Sequence, residues 1–345
     1  MTTPVVIRTE GSKDLGMGAL YKSWALAEAL ASFELQTHVL IHPSPACEAK
    51  LFEWGLPYTC LTSGGDLDEE VRETTDLLRA LGSTVLVTCV SVLPESYIPT
   101  IRSAGFRTVC VEDIPNPKVK CDVVVNCTVV EEWHACHRWD GTRYCLGPAY
   151  AIVRKAFLPF VQRSKSFSES SDHVVVTLGG SNPSGSLFRI LSALERIGPK
   201  VRKTILVGPA FPFQERLGRM GDRLRGQNFH LLVDPSDVEC LFFEADLAIS
   251  IGGNTLYELA CVGTPAVVLH EDPHEEVQAR AFQRLGSVIS LGDGMEVSEG
   301  TIAETVSALL VDPGRLRAMS ERGRAIVDSL GADRIARIIA KVARA

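Results

Sequence analysis

Short apolar runs alternate with longer segments of helical spacing along most of the chain. In the first half the apolar runs lie at residues 5–8, 37–41, 85–89, 108–112 and 123–126, and helical spacing covers 20–33, 68–81 and 94–104. Short apolar runs predict buried strands, and the longer periodic segments predict helices that cover them. The first half is therefore predicted to form a parallel sheet with helices on its faces.

The second half repeats this pattern. Strands are predicted at 173–178, 203–207, 229–233, 247–251 and 266–269, and helices at 238–244, 275–285, 301–310, 313–329 and 332–345. The fold class expected from both halves is α/β, with two Rossmann-like, doubly wound parallel-sheet domains that face a cleft.

A serine-rich polar stretch at residues 161–172 interrupts the apolar pattern and buries little. Such a composition is typical of an interdomain linker. The predicted organisation is an N-terminal domain at 1–160, this linker, a C-terminal domain at 173–330 and a final helix at 331–345.

The clearest functional signal follows the strand predicted at 247–251. That strand runs into Gly252 and Gly253, and an amphipathic helix begins at Asn254 or Thr255. A helix that starts directly after glycines presents main-chain N–H groups and the positive end of its dipole to an anion. The anion expected here is a nucleotide diphosphate.

Two further glycine loops, at residues 11–18 and 179–181, follow the first strand of each half. Ligands of open α/β sheets bind at the carboxyl ends of the strands, where these loops lie. One glycine turn can also end a strand for steric reasons alone. Three such turns at equivalent strand ends indicate ligand binding.

Size and charge narrow the classes of function. The chain has 345 residues, 46% of them hydrophobic, which is enough for two cores. A net charge of −7 without a long basic run argues against nucleic acid as a partner. We found no signal-peptide pattern and no apolar stretch of about 18 residues, so we expect a cytoplasmic protein without stable membrane insertion. The oligomeric state is left open.

The ten cysteines are expected to be reduced. Some of them lie in apolar segments, as small buried hydrophobic residues would: Cys89, Cys110, Cys240 and Cys261. Others lie near two histidines and could suggest a metal site: Cys121, Cys127, Cys136 and Cys145, with His134 and His137. Because no CxxC pair or standard zinc spacing occurs, we predict no metal and no cofactor.

Five segments resemble, in the same order along the chain, segments of a known family: 7–30, 121–126, 145–154, 178–181 and 250–258. Together they resemble the GT-B glycosyltransferases, and within them the branch of the UDP-sugar hydrolase of pseudaminic acid synthesis and the spore-coat polysaccharide proteins. The last segment is also similar to the donor half of the peptidoglycan N-acetylglucosaminyltransferase. The resemblance covers nearly the whole chain and implies a GT-B fold with a UDP-sugar as co-substrate.

The resemblance implies a nucleotide site in the C-terminal domain. Glu258 would accept hydrogen bonds from the ribose hydroxyls, and the main chain at Val233 would bind the uracil edge. The diphosphate would lie against the remaining members of the site: Gly179, Gly180, Ser181, Gly252, Gly253, Asn254 and Thr255. These residues could also have purely structural roles. Glu258 could complement the helix dipole, and Asn254 or Thr255 could simply cap the helix.

The donor sugar is expected beside the loop that follows the strand at 266–269. GT-B enzymes hold the sugar there, and the polar residues at this place are His270, Glu271 and Gln278. A polar loop after a strand could equally be ordinary surface.

The N-terminal loop departs from the family. Where the hydrolase has the pattern Gly-x-Gly-His followed by an arginine, this chain has Gly16, Gly18, Ala19 and Lys22. An alanine cannot transfer a proton, so the hydrolytic mechanism of the family does not carry over. Tyr257 likewise stands where the hydrolase has a catalytic asparagine.

Glu10 and Asp14 are the candidate catalytic bases, because a carboxylate could deprotonate an acceptor hydroxyl. Asp14 could instead cap the following turn. Gly16, Gly18, Ala19 and Lys22 would face the acceptor or the donor sugar. The aromatic stretch 133–139 could line an acceptor pocket or form a packed loop.

The expected function is that of a metal-independent glycosyltransferase. It would move a sugar from a nucleotide sugar, expected to be a UDP-sugar, to a soluble small-molecule or glycan-precursor acceptor. One alternative is a UDP-deoxyamino-sugar hydrolase of the pseudaminic-acid type with a displaced base. The other is a catalytically silent protein that binds nucleotide sugars. The sequence identifies neither the donor sugar nor the acceptor.

Overall fold

The structure is a computed structural model that describes residues 4–12, 14–64, 66–116, 119–135, 138–169, 171–180, 182, 184–208 and 211–344. The chain divides into two compact units. The first comprises Met1–Lys155 with Ser329–Ala345, and the second comprises Ala156–Asp328.

The first part of the chain alternates strands and helices. Its elements are β1 (Val5–Thr9), α1 (Gly18–Ala31), β2 (Thr37–Ile41), α2 (Pro45–Glu53), β3 (Tyr58–Cys60), α3 (Leu67–Ala80), β4 (Val85–Cys89), α4 (Tyr97–Ser103), β5 (Arg107–Val111), β6 (Val123–Asn126), α5 (Glu131–His134) and β7 (Arg143–Leu146).

The remainder of the chain has the same alternation. Its elements are α6 (Leu158–Val161), β8 (His173–Thr177), α7 (Leu187–Glu195), β9 (Arg202–Val207), α8 (Gln214–Leu224), β10 (Phe229–Val233), α9 (Val238–Glu244), β11 (Leu247–Ile251), α10 (Thr255–Val262), β12 (Ala266–His270), α11 (Pro273–Leu285), β13 (Val288–Asp293), α12 (Glu299–Leu310), α13 (Pro313–Ile326) and α14 (Gly331–Ala343).

Each unit is built on one parallel sheet. The strand order is β3-β2-β1-β4-β5-β6-β7 in the first unit and β10-β9-β8-β11-β12-β13 in the second. In both sheets the order reverses beside the first strand, between β1 and β4 and between β8 and β11. Ligands of doubly wound folds bind at the carboxyl ends of the strands at this switch point. The predicted pair of doubly wound parallel-sheet domains is confirmed.

The central strands are apolar because helices cover both faces of each sheet. All five residues of β1, β4 and β8 are buried. In the second unit, Phe167 and strand β8 contribute to the same core as helices α7 and α12. In the first unit, α14 packs on α1, and Ile335 and Ile339 of α14 belong to the same core as Leu26 and Leu30 of α1.

The segment predicted as a linker, 161–172, lies within the second unit. Lys165 is half-buried there, and its ammonium group donates hydrogen bonds to the main-chain oxygen of Phe243, at 2.7 Å, and to Oγ1 of Thr264, at 2.6 Å. Phe167, two residues further, is a member of the core. A serine-rich composition does not reveal these two contacts with the second unit, and the boundaries between the units fall near residues 155 and 329.

The final helix, placed apart from both domains by the sequence, belongs to the first unit. An ideal Cβ on Gly331 would lie 2.1 Å from the carbonyl oxygen of Ala151, so glycine allows the start of α14 to approach that segment closely. Several elements that are short, exposed or polar were not predicted from the sequence pattern, among them α2, β3, β7, α8 and β13. The helix α7 was not predicted either, although most of its residues are buried.

Candidate functional site

The glycine loops after β8 and β11 lie beside each other at the switch point of the second sheet. Gly179 has a φ of +75°, a left-handed conformation that favours glycine. An ideal Cβ on Gly179 would lie 3.8 Å from Cδ1 of Ile251, the last residue of β11. The structure therefore brings two of the predicted loops together at the position where this fold binds ligands.

Gly252 allows a second helix to reach this loop. An ideal Cβ on Gly252 would lie only 2.2 Å from the carbonyl oxygen of Glu275, in the first turn of α11. Gly253 has more room, because its ideal Cβ would lie 3.8 Å from Oε1 of the same glutamate. Gly252 is thus required by packing, and its neighbour Gly253 is not.

Gln278 holds this loop in place. Its amide nitrogen donates a hydrogen bond to the main-chain oxygen of Gly252. Its amide oxygen accepts one from the Tyr257 hydroxyl at 2.9 Å. Gln278 is buried, with 3% of its surface exposed. The contact seen for this predicted sugar-binding residue is therefore one that shapes the glycine loop.

The N-terminus of α10 has no side-chain cap, within the part of the chain that the structure describes. Asn254 stands at the cap position without a side-chain hydrogen bond to the helix. The N–H groups of Leu256 and Tyr257 bond to the carbonyl oxygens of Gly253 and Asn254, at 3.2 and 3.0 Å. An anion at this helix end would therefore bind main-chain N–H groups just before them.

The neighbouring helix α11 is capped. Asp272 accepts a hydrogen bond from the main-chain N–H of Glu275 at 2.8 Å, and Pro273 occupies the first helical position. The carboxylate of Glu275 reaches back to the N–H of Glu271 at 2.9 Å, as in a capping box. The first turn of α11 thus packs on the glycine loop from which α10 begins, and of these two helix starts the one of α11 has a side-chain cap.

Glu275 is a member of this site that the sequence analysis missed. Burial, with the nearby carboxylates of Asp272 and Glu271, raises the pKa of Glu275 to about 8. The side chain is therefore mostly protonated at neutral pH and adds little negative charge beside an anion site. The Asp-x-x-Glu spacing of a capping box could have identified its position, but only the packing on Gly252 connects it to the site.

Glu271 is occupied by contacts to the β8 loop. Its Oε1 accepts hydrogen bonds from Asn182 and from the hydroxyls of Ser184 and Ser186, the latter two at 2.5 and 2.6 Å. This network ties the loop after β12 to the loop after β8. Ser181, predicted as a diphosphate contact, lies outside the described residues.

Gly180 contributes through close packing of the main chain. An ideal Cβ on Gly208, just after β9, would lie 2.4 Å from the carbonyl oxygen of Gly180. Gly208 therefore lets the ends of β8 and β9 approach each other. It is a further glycine at this edge of the sheet that sequence reasoning did not single out.

The remaining predicted donor residues lie along the same unit. Glu258 is half-buried one turn into α10. Val233 ends the edge strand β10 with 58% of its surface exposed and pairs with Val207 of β9. His270 ends β12, and its Nδ1 is buried without a hydrogen-bond partner among the described residues. A polar ligand atom could satisfy that nitrogen.

In the first unit, side-chain hydrogen bonds of Glu10 and Ser12 hold the loop after β1. Glu10 accepts a hydrogen bond from the N–H of Ser91, which follows β4. The hydroxyl of Ser12 accepts from the N–H groups of Asp14 and Leu15, at 3.2 and 3.0 Å. Ser12 therefore caps this turn, and the Asp14 side chain is left exposed.

The start of α1 places the other predicted N-terminal residues. Gly16 has a φ of +75°, and its carbonyl accepts from the N–H of Ser12 at 3.0 Å. Gly18 begins α1. Ala19 packs against the core of the unit, and its carbonyl accepts from the Ser23 hydroxyl at 2.9 Å.

Lys22 forms a buried ion pair instead of an open cationic site. Its ammonium group lies 2.7 and 2.5 Å from the two carboxylate oxygens of Asp113. Burial alone would lower the pKa of Lys22, but the charge of Asp113 outweighs it, so the pKa lies above its usual range. The side chains of Lys22 and Asp113 are 6% and 34% exposed. Sequence reasoning missed Asp113, whose only signal was its place just after a predicted strand.

Most of the cysteines that were expected to be buried are buried in the structure. Cys89, Cys110 and Cys261 are buried as expected, whereas Cys240 is half-buried; Cys136 and His137 lie outside the described residues. Within the described ranges, no cluster of three or more His, Cys, Asp or Glu side chains could hold a metal ion. Over the same ranges, no helix is both long and apolar enough to cross a bilayer.

Several known proteins are similar to this chain in sequence or in fold. No family model matches the chain. It is 28% identical to the spore coat polysaccharide biosynthesis protein SpsG of Bacillus subtilis (strain 168), over 97% of each chain. It is 27% identical to the UDP-N-acetylglucosamine–N-acetylmuramyl-(pentapeptide) pyrophosphoryl-undecaprenol N-acetylglucosamine transferase of Rhodopseudomonas palustris, over 56% of this chain and 52% of the transferase.

A third relative is bifunctional. The pseudaminic acid cytidylyltransferase and UDP-2,4-diacetamido-2,4,6-trideoxy-beta-L-altropyranose hydrolase of Helicobacter pylori is 23% identical, over 59% of this chain and 37% of that protein.

Solved structures share the fold. MurG of Acinetobacter baumannii superimposes with a TM-score of 0.68 at 14% identity, covering 98% of this chain and 99% of MurG. The spinosyn forosaminyltransferase SpnP gives the same TM-score and identity, covering 99% of this chain and all of SpnP. The predicted GT-B fold and the predicted resemblance are confirmed. The chain therefore has the GT-B fold, and its sequence is similar to that of SpsG over nearly its whole length.

Proposed function

We propose that this protein is a glycosyltransferase that takes a nucleotide sugar, a UDP-sugar in the first instance, as its donor. The observation that carries the proposal is the uncapped N-terminus of α10 behind Gly252, at the switch point of the second sheet. A helix end of this kind stabilises a diphosphate through main-chain N–H groups and the helix dipole. The same interactions strengthen as negative charge develops on a departing diphosphate.

The relatives support the transferase assignment. One relative is named as a transferase of N-acetylglucosamine from its UDP derivative, and one neighbour in fold is named as a forosaminyltransferase. The position of Ala19, which can neither accept nor donate a proton, also favours transfer over the hydrolysis named for the Helicobacter pylori relative.

The individual residues take the following roles in the proposal. Glu258 accepts hydrogen bonds from the ribose hydroxyls, and the main chain at Val233 contacts the base. The glycines after β8 and β11 hold the diphosphate, while Gln278 and Glu271 keep those loops in shape through the contacts described above. Protonated Glu275 donates a hydrogen bond to the diphosphate or the donor sugar without adding charge.

The chemical step needs no covalent enzyme intermediate. The acceptor hydroxyl loses its proton to a base, its oxygen bonds to the anomeric carbon of the donor, and the bond from that carbon to the diphosphate breaks. The electron pair leaves with the nucleoside diphosphate, which α10 stabilises. Glu10 and Asp14, in the first unit, remain the proposed candidates for the base.

Titration of the full-length protein with UDP in a calorimeter tests the nucleotide site. Glu258→Ala should weaken UDP binding by about tenfold or more, because hydrogen bonds to a carboxylate contribute roughly 1.5–3 kcal/mol. Glu304→Ala removes an exposed glutamate from α12 of the same unit and serves as the matched control. Equal affinity of both variants and the parent would contradict the assigned role of Glu258.

Incubation with UDP-sugars, with and without candidate acceptor glycosides, tests the reaction. Release of UDP that depends on the acceptor supports transfer. Release at the same rate in water alone would establish the hydrolase alternative. Binding of UDP without turnover of any donor would identify a silent binding protein.

A further inference from the structure

A histidine with a carboxylate partner lies at the carboxyl edge of the first sheet. His42 directly follows β2, which pairs in parallel with β1. Pro43 comes next in the chain and disfavours a helical main chain at His42. The hydroxyl of Ser44 then donates a hydrogen bond to the main-chain oxygen of Gly11 at 2.9 Å. The segment that carries His42 is therefore fastened to the loop that follows β1.

The imidazole of His42 is bonded to Glu70, on α3. Its Nε2 atom lies 3.1 Å from Oε2 of Glu70. A carboxylate only accepts hydrogen bonds, so in the neutral ring Nε2 carries the hydrogen and Nδ1 has the free lone pair. The side chain of His42 is 41% exposed, whereas that of Glu70 is 11% exposed. Nδ1 makes no hydrogen bond to any residue that the structure describes, so it is open to a proton donor.

Arg8 fixes the same carboxylate from its other oxygen. The Nε of Arg8 donates to Oε1 of Glu70 at 2.9 Å, and the Arg8 side chain is 4% exposed. Arginine keeps its charge when it is buried, and its planar guanidinium matches a carboxylate well. Each oxygen of Glu70 thus has one partner. The ring of His42 is held in one orientation and one tautomer by a carboxylate that is itself held in place.

This arrangement has the features that a general base requires. One ring nitrogen is bonded to an orienting carboxylate, and the other has a free lone pair. Imidazole takes up and releases protons readily near neutral pH. The two candidate carboxylates of this unit are placed differently. Glu10 accepts the main-chain N–H of Ser91, and the Asp14 side chain is exposed.

We propose that His42 is the general base of the transferase and that Glu70 and Arg8 position its ring. The acceptor hydroxyl gives its proton to Nδ1 of His42. The electron pair left on the oxygen forms the bond to the anomeric carbon of the donor, while the bond from that carbon to the diphosphate breaks. The exposed imidazole then releases the proton to solvent. This assignment rests on the proposed function.

A purely structural role of His42 makes a different prediction. In that role the ring would only satisfy one oxygen of the buried pair of Arg8 and Glu70, and any hydrogen-bond donor at this position would serve equally well. The glutamine amide is such a donor, but it does not take up a proton at neutral pH. His42→Gln therefore retains a donor for Glu70 and removes the base.

His38 provides a matched control on the same strand. Its Nε2 lies 2.8 Å from the hydroxyl oxygen of Thr59, and burial lowers its pKa. The ring is half-buried, and the partner shown for it is a hydroxyl group instead of a carboxylate. His38→Gln makes the same chemical change four residues earlier and should leave turnover unchanged.

The first experiment measures UDP release by the full-length protein from a panel of UDP-sugars, with methyl β-D-glucopyranoside and its N-acetylglucosamine counterpart as acceptors. For the fastest pair, His42→Gln should lower kcat by about a hundredfold or more, because general-base catalysis contributes roughly 10²–10⁴-fold. The KM of the donor should stay within about twofold, since the base does not bind the nucleotide. Imidazole added to His42→Ala should restore part of the rate.

Glu70→Gln tests the positioning role and retains an amide oxygen for Arg8. It should lower kcat by about tenfold at an unchanged donor KM, because an amide fixes the tautomer of the ring less firmly. Nitrogen-15 NMR of histidine-labelled protein provides a readout that does not need turnover. The parent should carry the hydrogen of His42 on Nε2, and Glu70→Gln should show a mixture of tautomers. A parent ring with its hydrogen on Nδ1 would overturn the proposal.

The outcomes separate this proposal from the proposed function. Full activity of His42→Gln, with activity lost in Glu10→Gln or Asp14→Asn, would refute the role of His42 and leave the transferase intact. Equal losses in His42→Gln and His38→Gln would also refute it, because both would then only disturb β2. UDP release that needs His42 but no acceptor would refute transfer and retain His42 as a base that acts on water. A parent that turns over no donor would refute both.

Discussion

The loops at the switch points of the two sheets differ in their chemistry. In the second unit, the loops after β8 and β11 are built from glycines, and the helix after β11, α10, has no side-chain cap within the described residues. In the first unit, the turn after β1 is capped by Ser12, and the cation on the following helix, Lys22, is paired with Asp113. The start of α10 thus leaves main-chain N–H groups without a side-chain cap, whereas the turn after β1 has one.

In the proposed function, this difference would divide two tasks between the two units. A diphosphate is bound by main-chain N–H groups and a dipole, which require glycines and an open helix end. A neutral acceptor requires shape and uncharged polar contacts, and a buried ion pair provides a rigid support for these without attracting an anion. The following predictions test this contrast, from the largest expected effect to the smallest.

Gly252→Ala should nearly abolish UDP binding, with a loss of about a hundredfold. The new Cβ would lie 2.2 Å from the carbonyl oxygen of Glu275, so the loop or α11 must move. Gly253→Ala, whose Cβ would meet only a carboxylate oxygen at 3.8 Å, is the matched control for stability and binding. Calorimetry with UDP and thermal unfolding of both variants provide the measurement, and equal losses would refute the packing argument.

Lys22→Met should lower the free energy of unfolding by about 2 kcal/mol and leave UDP affinity unchanged. The estimate lies below the usual figure for a fully buried pair because the Asp113 side chain is 34% exposed. Lys22→Met with Asp113→Asn should recover most of the loss, since no unpaired charge remains. Urea unfolding measures both variants. A double variant as unstable as the single one would show that the ion pair is not the cause.

UDP affinity should fall by about tenfold between pH 7 and pH 9. The pKa of Glu275 is about 8, so the group is mostly neutral at the lower pH and becomes a carboxylate above it. The new negative charge repels the diphosphate, whose own last ionisation, with a pKa of about 6, lies mostly below pH 7. Glu275→Gln should bind UDP with the same affinity across this range. A parallel decline in that variant would assign the pH dependence to another group.

Asn254→Ala should change the free energy of unfolding by less than about 0.5 kcal/mol, whereas Asp272→Ala should cost about 1 kcal/mol. Only Asp272 accepts a hydrogen bond from the first turn of its helix. Urea denaturation of the two variants compares an open helix end with a capped one. A loss as large at Asn254 as at Asp272 would mean that α10 is capped in solution.

The pattern of apolar residues predicted most strands of the two sheets. Strands β2, β4, β6, β10 and β11 begin and end where the apolar runs predicted. Elements with weak patterns were not found: β3 has three half-buried residues, and β13 is mostly half-buried. The segment predicted as a linker lies within the second unit, because the contacts that Lys165 and Phe167 make with that unit carry no signal within a serine-rich stretch.

The residues of the candidate site likewise fall into two groups, those that the sequence identified and those that it did not. Its glycines could be recognised because a strand, a glycine turn and a helix follow one another along the chain. Glu275, Asp113 and Gly208 could not, since each owes its place to a contact with a residue far away in sequence. The sequence also suggested that Glu271 and Gln278 bind sugar, whereas their contacts in the structure are to the loops after β8 and β11.

Local order along the chain therefore established the α/β class, the two repeated halves and the glycine turn before α10, because strand and helix periods and glycine positions are local properties. The partners of each polar group depended on folding. Whether Lys22 binds a ligand or pairs with Asp113, and whether a glutamate is charged beside the anion site, is decided by burial and by neighbours that the chain brings together only in three dimensions.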